Sequence, residues 1–311
     1  MLDLYDDAAA LPRLLHGGRA AYDIDGLRRA GITKRAVQWA RAKGRLAHPF
    51  REAYLDGAGA IDLLDQLRAA LLVLPPAAVF TGHTAALLYG FGVLPNDAVQ
   101  VAVPAGTPVP QRAGIVPHES VLPFDDVRQV LGLPCLAPAR CAVDLARRLP
   151  RPDALAVLDA ALRAAACTPE ELAAEVAGHD KLRGVRQARE LVPLATPLSE
   201  CRQETHLRLV FHDGRLPRPE PQLAVVDEWG VARWRLDLGY ERWRVGAEYD
   251  GASHLDRRQL RRDRERHNWL EVRGWRMRYF TDADLYQRPD RIVGIMRETL
   301  RDQGHTRRSR A

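Results

Sequence analysis

Carboxylates and one histidine carry the first chemical signal in this sequence. The run VGAEYDGASH, residues 245–254, delivers Glu248, Asp250 and His254 within ten positions. Read as the end of a strand, it puts Glu248 and Asp250 on one face, because strand side chains alternate. Two carboxylates held together repel each other, and the cluster is tolerable when a cation neutralises it. Asp237, in RWRLDLGY, ends the preceding strand, and a β-hairpin brings the two strand ends near each other. Glu204 sits on the helix before them, in ECRQETHLRLVFHDG. Hard oxygen ligands suit Mg²⁺ or Mn²⁺, and such an ion activates water and stabilises charge on a phosphodiester oxygen. Asp237, Glu248 and Asp250 are therefore candidate metal ligands, with Mg²⁺ or Mn²⁺ the expected cofactor. The competing reading makes these acids ion-pair partners of the abundant arginines. No lysine follows Lys181, and arginine does not deprotonate. His254 is then the side chain close by that can take a proton near neutral pH.

The elements that must position these groups follow from residue patterns. ECRQETHLRLVFHDG reads as a helix ended by Gly214. PRPEPQLAVVDEWGVARWRLDLGYERWRVGAEYDG reads as three strands, with turns at Asp227–Gly230 and Gly239–Arg242. DRRQLRRDRERHNWLEVRG is a basic helix stopped by Gly274, WRMRYFT a strand and RPDRIVGIMRETLR a last helix, so the order is α-β-β-β-α-β-α. Arg257, Arg258, Arg261, Arg262, Arg264 and Arg266 are too many for one contact face. Some are expected to pair with Asp256, Asp263 and Glu265 along the helix. Others, Arg258 and Arg262 among them, are candidates for DNA phosphates. Trp269, Leu270, Trp275 and Phe280 are expected in the core.

Residues 1–56 read as a small helical unit ending in an extended pair. DIDGLRRAG is a helix stopped by glycine, and ITKRAVQWARAKG a second helix with Thr33 as N-cap and Gly44 as stop. RLAHPFREAYL looks extended. Helix, turn, basic helix and hairpin is a winged-helix pattern. Lys34, Arg35, Gln38, Arg41 and Lys43 are its candidate DNA-binding residues; an ordinary solvated basic helix is the competing reading. Residues 57–196 read as mostly helical, with one strand at AVQVAVP and a capped helix at TPEELAAEVAG. No catalytic constellation stands out there. His83 and His118 read as capping, core or surface residues, and Asp144 as the partner of a nearby arginine.

At 311 residues the chain is long for one domain. The pattern changes place boundaries at 1–56, 57–196 and 197–301, with a basic disordered tail at 302–311. Hydrophobic content of 46% supports a packed core. No apolar run reaches the roughly 18 residues of a membrane helix, so no membrane partner is expected. The four cysteines form no CxxC pair, and a reducing cytoplasm is the expected compartment. A net charge of +6 permits a polyanionic partner.

Two resemblances add to this. Residues 12–56, with GHTAALLYG and PARCAVDLAR further on, resemble AbiEi-like antitoxins of abortive-infection toxin–antitoxin systems. That resemblance implies a winged helix that binds promoter DNA, and a cognate toxin as partner. FREAYLDG stands where such proteins carry an Arg-Gly-Val-Tyr-like strand. Residues 197–300, through ETHLR, RLD, VGAEYDGASH and RRDRERHNWLEVRGW, are similar to the very-short-patch-repair-endonuclease-like branch of the PD-(D/E)xK nucleases. It implies a restriction-endonuclease-like domain within an α+β protein. By it, Asp237 matches the first metal-binding aspartate and Glu248 the acid of the (D/E)xK element. Glu204 matches the helical glutamate that supports the metal, and His254 a catalytic histidine. Asp250 occupies the lysine position of the motif, a departure from the pattern. The reading that follows is a metal-dependent DNA endonuclease with an N-terminal DNA-binding module. The alternative is a non-catalytic, antitoxin-like DNA-binding regulator whose nuclease fold has become a binding module.

Overall fold

A computed structural model of the chain describes residues 19–57, 59–95, 98–251 and 257–304. Within them, twelve α-helices and three sheets give an α+β fold. The chain divides into two compact units, Met1–Cys141 and Ala142–Ala311. All four cysteines are free thiols.

The first unit opens with β1 (Ala21–Asp23), α1 (Ile24–Arg29), α2 (Lys34–Ala42), β2 (Leu46–Phe50) and β3 (Ala53–Asp56). The strands make an antiparallel sheet in the order β1-β3-β2. Asp23 caps α1 by accepting from the Gly26 N–H, and the chain turns at Gly31. Thr33 caps α2 by accepting from the Ala36 N–H at 3.2 Å, satisfying a donor that the first helical turn leaves orphaned. The helix stops before Gly44, whose φ of +68° suits a residue without a side chain. Leu27 of α1 and Val37 of α2 pack with Tyr22 and Tyr54 of the sheet into a small core. The β2–β3 turn holds Glu52 at φ +72°, a left-handed geometry costing about 1–2 kcal/mol for a residue with a Cβ. Arg112 offsets that cost by donating to the Arg51 carbonyl at 3.0 Å and pairing with Glu52 at 3.1 Å.

Next come α3 (Leu63–Leu71), β4 (Val79–Phe80), α4 (Gly82–Leu88), β5 (Val99–Val103), β6 (Ile115–Glu119), β7 (Val127–Val130) and β8 (Leu133–Leu136). Their sheet runs β6-β5-β4-β8-β7, with β4–β8 and β5–β6 parallel. Phe80, Val101 and Leu133 of this sheet share a core with Leu67 of α3 and Leu55 of β3. Four of the five strands go beyond the one expected here. β4, β7 and β8 have only two to four residues, and β6 and β8 contain Pro117 and Pro134. Proline removes a ladder donor and argues against a strand in sequence reading.

α5 (Pro138–Arg148) leads into the second unit, which continues with α6 (Arg151–Arg163), α7 (Pro169–Gly178) and α8 (Val185–Leu191). Asp144 pairs with Arg147. Thr168 and Glu171 form the expected capping box on α7. Then follow α9 (Arg202–Asp213), β9 (Glu220–Val226), β10 (Ala232–Tyr240), β11 (Val245–Tyr249), α10 (Arg257–Val272), β12 (Arg276–Phe280), α11 (Asp282–Gln287) and α12 (Pro289–Asp302). The sheet runs β12-β11-β10-β9, antiparallel except for the parallel β11–β12 pair. Leu207 and Phe211 of α9 and Ile292 and Met296 of α12 pack with Val245 and Ala247 of β11. Leu270 of α10 packs with Leu236 of β10 and Met277 of β12 in a separate cluster. The expected last helix is α12, and a short helix not expected from the sequence, α11, precedes it.

A buried polar network joins α6 to α9. Asp159, fully buried on α6, accepts from the Thr205 hydroxyl at 2.7 Å, Arg208 Nη2 at 2.6 Å and the Thr196 N–H at 2.8 Å. Burial raises its pKa, and Arg208 and the donors oppose that shift. A buried carboxylate is tolerated when paired and hydrogen-bonded in this way.

Candidate functional site

β10 and β11 pair from Tyr240↔Val245 to Leu238↔Ala247. The ladder ends at that pair, and two residues further on the Tyr249 N–H donates to the Asp237 side chain, Oδ2, at 3.0 Å. Glu248 is buried one residue earlier on β11. Arg266 of α10 bridges the two strands here. Its Nη1 donates to Glu248 Oε2 at 2.9 Å, and its Nη2 to Glu248 Oε1 and, at 2.7 Å, to the Arg235 carbonyl of β10. The guanidinium carbon lies 5.9 Å from the Trp234 ring centre.

On β9, Leu223 pairs with Leu236 and Pro221 with Leu238, which sets Gln222 opposite Asp237. Gln222 adopts φ +55°. Its Nε2 donates to Glu204 Oε2 at 2.8 Å, and the same oxygen accepts from the Glu200 N–H at 2.8 Å.

Asp237 is the electrostatic link between these acids. Burial, reinforced by Glu204, pushes its carboxyl up to about 6, against the Tyr249 N–H and Arg266. Glu248 is pushed up to about 7 by burial, which outweighs Arg266 and is helped by Asp237. Both groups titrate near neutrality, where ordinary carboxylates are fully ionised.

The sequence-derived site is thus partly assembled. Asp237, Glu248 and Glu204 form a linked series. Asp250 lies one residue past β11, exposed, with its N–H donating to the Phe280 carbonyl at 2.8 Å. His254 lies outside the described residues. Among the described residues, no group of three or more His, Cys, Asp or Glu is disposed to hold a metal ion. Four of the six oxygens of these three carboxylates are hydrogen-bonded within the protein: both of Glu248 to Arg266, one of Asp237 to Tyr249 and one of Glu204 to two donors. A positive charge does sit at the cluster, as a guanidinium.

Arg266 departs from the helix-local pairing expected of the α10 arginines. Its partner is Glu248, eighteen residues back. The signal was present, since Arg266 lies three and four residues before Trp269 and Leu270 and so shares their inward face. Tyr279 and His267 were also missed. Tyr279 pairs with Glu248 across β11–β12, and its ring lies 6.4 Å from that of His267. That register exists only once α10 has carried the chain across. Arg262 is exposed on α10. Arg258 belongs to the same helix, its side chain outside the described part.

In the first unit, Lys34, Arg35, Gln38, Arg41 and Lys43 are all exposed on or just after α2. The helix has no acid in its first turn and none further along. Trp39 is 42% exposed, and the Arg45 guanidinium lies 5.0 Å over its ring. Buried Val37 fixes which face is turned outward.

Residues 77–194 match the family model of the AbiEi antitoxin C-terminal domain. Two proteins of Mycobacterium tuberculosis, uncharacterized protein MT2308 of strain CDC 1551 / Oshkosh and uncharacterized protein Rv2248 of strain ATCC 25618 / H37Rv, are each 35% identical over 233 residues. That match covers 75% of this chain and 84% of theirs. The chain belongs to the family of these mycobacterial proteins. A solved structure, the RV2827C protein from the same species, matches with a TM-score of 0.41 and 20% identity over 56% of this chain and 71% of that one. Within the family, this chain combines an AbiEi-type segment with the Asp237–Glu248–Arg266 centre that lies beyond it. No helix among the described residues is long and apolar enough to cross a membrane.

Proposed function

We propose that the protein is a DNA-binding regulator of the antitoxin type. The observation that carries this reading is the outward face of α2. Lys34, Arg35 and Arg41 stand exposed beside Gln38, no acid interrupts them, and Val37 anchors the opposite side. A short basic helix beside a β-hairpin is the geometry with which winged helices enter the major groove. The AbiEi-type segment at residues 77–194 supports the antitoxin assignment and makes a cognate toxin the expected protein partner. In this reading the C-terminal α/β domain is a nuclease-like fold used for binding, with Arg266 standing as the fixed counter-charge of Glu248. Fluorescence anisotropy on duplex DNA from the protein's own upstream region tests it. Wild type is expected to bind with strong salt dependence, and Arg35→Ala with Arg41→Ala to bind weakly. Equal binding by both proteins would reject α2 as the DNA-binding element.

One observation favours a second reading, a metal-dependent DNA endonuclease. Glu248 is buried and Asp237 half-buried, and their carboxyls are raised to about 7 and about 6, a perturbation common at functional sites. In that reading Asp237 and Glu248 hold Mg²⁺ or Mn²⁺, Glu204 supports them, and His254 takes the proton of the attacking water. Arg266 would first have to leave Glu248. Plasmid nicking in either metal separates the readings. Cleavage by wild type and none by Asp237→Asn would establish the enzyme.

A further inference from the structure

The outward face of α2 has an uncharged centre between two charged margins. At about 100° per residue, Gln38 and Ala42 project within about 40° of each other. Ala40 lies about 180° from that direction, with Ala36 and Val37 on either side of it, and these are the residues that α2 turns inward. Lys34 and Arg41 stand along one margin of the outer face. Arg35, and Lys43 just past the helix, stand along the other, and all four are exposed. Trp39 lies on the second margin, where the Arg45 guanidinium sits 5.0 Å over its ring.

Centre and margins suit different parts of a DNA duplex. Long cations at the margins reach phosphates, and such contacts position a helix without carrying sequence information directly. None of Lys34, Arg35, Arg41 and Lys43 is held in an ion pair with a described residue. The centre is the part that meets the floor of a groove. Ala42 has nothing beyond its Cβ, so it lets the helix approach closely. Gln38 carries the one side-chain amide of α2, and no described residue hydrogen-bonds to that amide. Its donor and acceptor match one purine edge in the major groove: adenine presents N7 as acceptor and N6–H₂ as donor. Guanine presents two acceptors there, which suit arginine or lysine instead. The rotation of Gln38 about the helix axis is fixed by its neighbour, because Val37 is packed with Leu27, Tyr22 and Tyr54.

We infer that Gln38 reads an adenine in the major groove, its Oε1 accepting from N6–H₂ and its Nε2 donating to N7. The cations on both margins of α2 meanwhile hold the backbone phosphates. The inference rests on α2 as the DNA-binding element and adds what that element distinguishes, an A·T pair at one fixed position of the site.

Selection by the full chain from duplex DNA with a randomised core, at one fixed salt concentration, tests this. Wild type is expected to enrich sites with adenine at one position. Gln38→Ala is expected to lose the preference at that position alone, its discrimination against other bases falling by about 5- to 150-fold, the worth of one bidentate base contact. The slope of its log affinity against log salt should stay that of wild type. Gln38→Glu should exchange adenine for cytosine, whose N4–H₂ suits a carboxylate. Wild type should also bind the selected site more weakly when a 7-deaza-adenine, which lacks the N7 acceptor, replaces the adenine, a result that involves no variant. The same preferred sequence for wild type and Gln38→Ala, or no loss with the 7-deaza base, would overturn the inference. Binding without base preference, with a salt slope that falls in the Arg35→Ala, Arg41→Ala double variant, would overturn it and leave α2 as the DNA-binding element. No binding of duplex DNA by wild type would overturn both.

Discussion

Arg266 holds Glu248 with both prongs of its guanidinium and ties the same group to the carbonyl of Arg235. One side chain thereby joins α10 to two strands at the place where their ladder ends. Arginine suits this task because its planar fork matches a carboxylate and still leaves a donor for a carbonyl. Lysine could not make all three bonds in one plane.

Removing Arg266 leaves Glu248 buried beside Asp237 without its counter-charge. Arg266→Ala is expected to cost about 3 kcal/mol, the lower end for breaking a largely buried pair. Glu248→Gln in the same background should restore part of that loss, because the uncompensated charge is gone. Urea unfolding of the two single variants and the double variant gives the coupling. Strict additivity would mean the pair contributes nothing as a pair.

Asp237 at about 6 and Glu248 at about 7 lie above the ordinary values of 3.8 and 4.5. Between about pH 4 and pH 7 the folded protein therefore holds more protons than the unfolded chain, and its stability falls as pH rises. The favourable contribution is complete below the unfolded values and lost as pH passes through the folded ones. Asp237→Asn keeps an acceptor for the Tyr249 N–H and removes one titration. It is expected to flatten the pH profile of unfolding free energy in that window and to stabilise the protein at about pH 8. A profile as steep as that of wild type would exclude Asp237 as a titrating group.

Millimolar Mg²⁺ is expected to leave the melting temperature of the wild type unchanged, since a guanidinium already neutralises Glu248. A ligand that binds only the folded state raises stability by mass action. A rise in wild type that disappears in Asp237→Ala would return the centre to the endonuclease reading.

For DNA, each phosphate that α2 no longer neutralises should lower the slope of log affinity against log salt by about one unit. Arg35→Ala combined with Arg41→Ala is expected to lower it by about two. An unchanged slope would make α2 a solvated face.

Asp159→Ala would leave Arg208 buried with no carboxylate, the Thr196 N–H without its acceptor and the Thr205 hydroxyl with only the Cys201 carbonyl at 3.4 Å. The expected loss is about 3–5 kcal/mol. Thermal unfolding of the full chain reads it directly, and a loss below about 1 kcal/mol, no more than one ordinary hydrogen bond contributes, would mean water replaces the carboxylate.

Much of the local structure was legible in the chain itself. Thr33 and Gly44 bound α2 because a hydroxyl at the first turn and a residue tolerant of positive φ at the last are local requirements. The Thr168–Glu171 capping box, the Asp144–Arg147 pair and the order of elements from α9 to β12 are local in the same sense. Asp237, Glu248 and Glu204 could be picked out because acids among apolar residues need a reason. Their partners could not. Arg266 was legible as one helical arginine among several, but its partner Glu248 lies eighteen residues back, a separation that only the packing of α10 on the sheet closes. The same holds for Tyr279, placed beside Glu248 by a parallel register, and for the Gln222 amide on Glu204, which comes from a strand residue with a left-handed backbone. Asp250 shows the converse: alternation puts it on the face of Glu248, yet β11 ends at Tyr249 and alternation ends with it. Period and capping act over a few residues, so sequence carries them. Which charge neutralises a buried carboxylate is decided by whatever side chain the tertiary fold delivers to it.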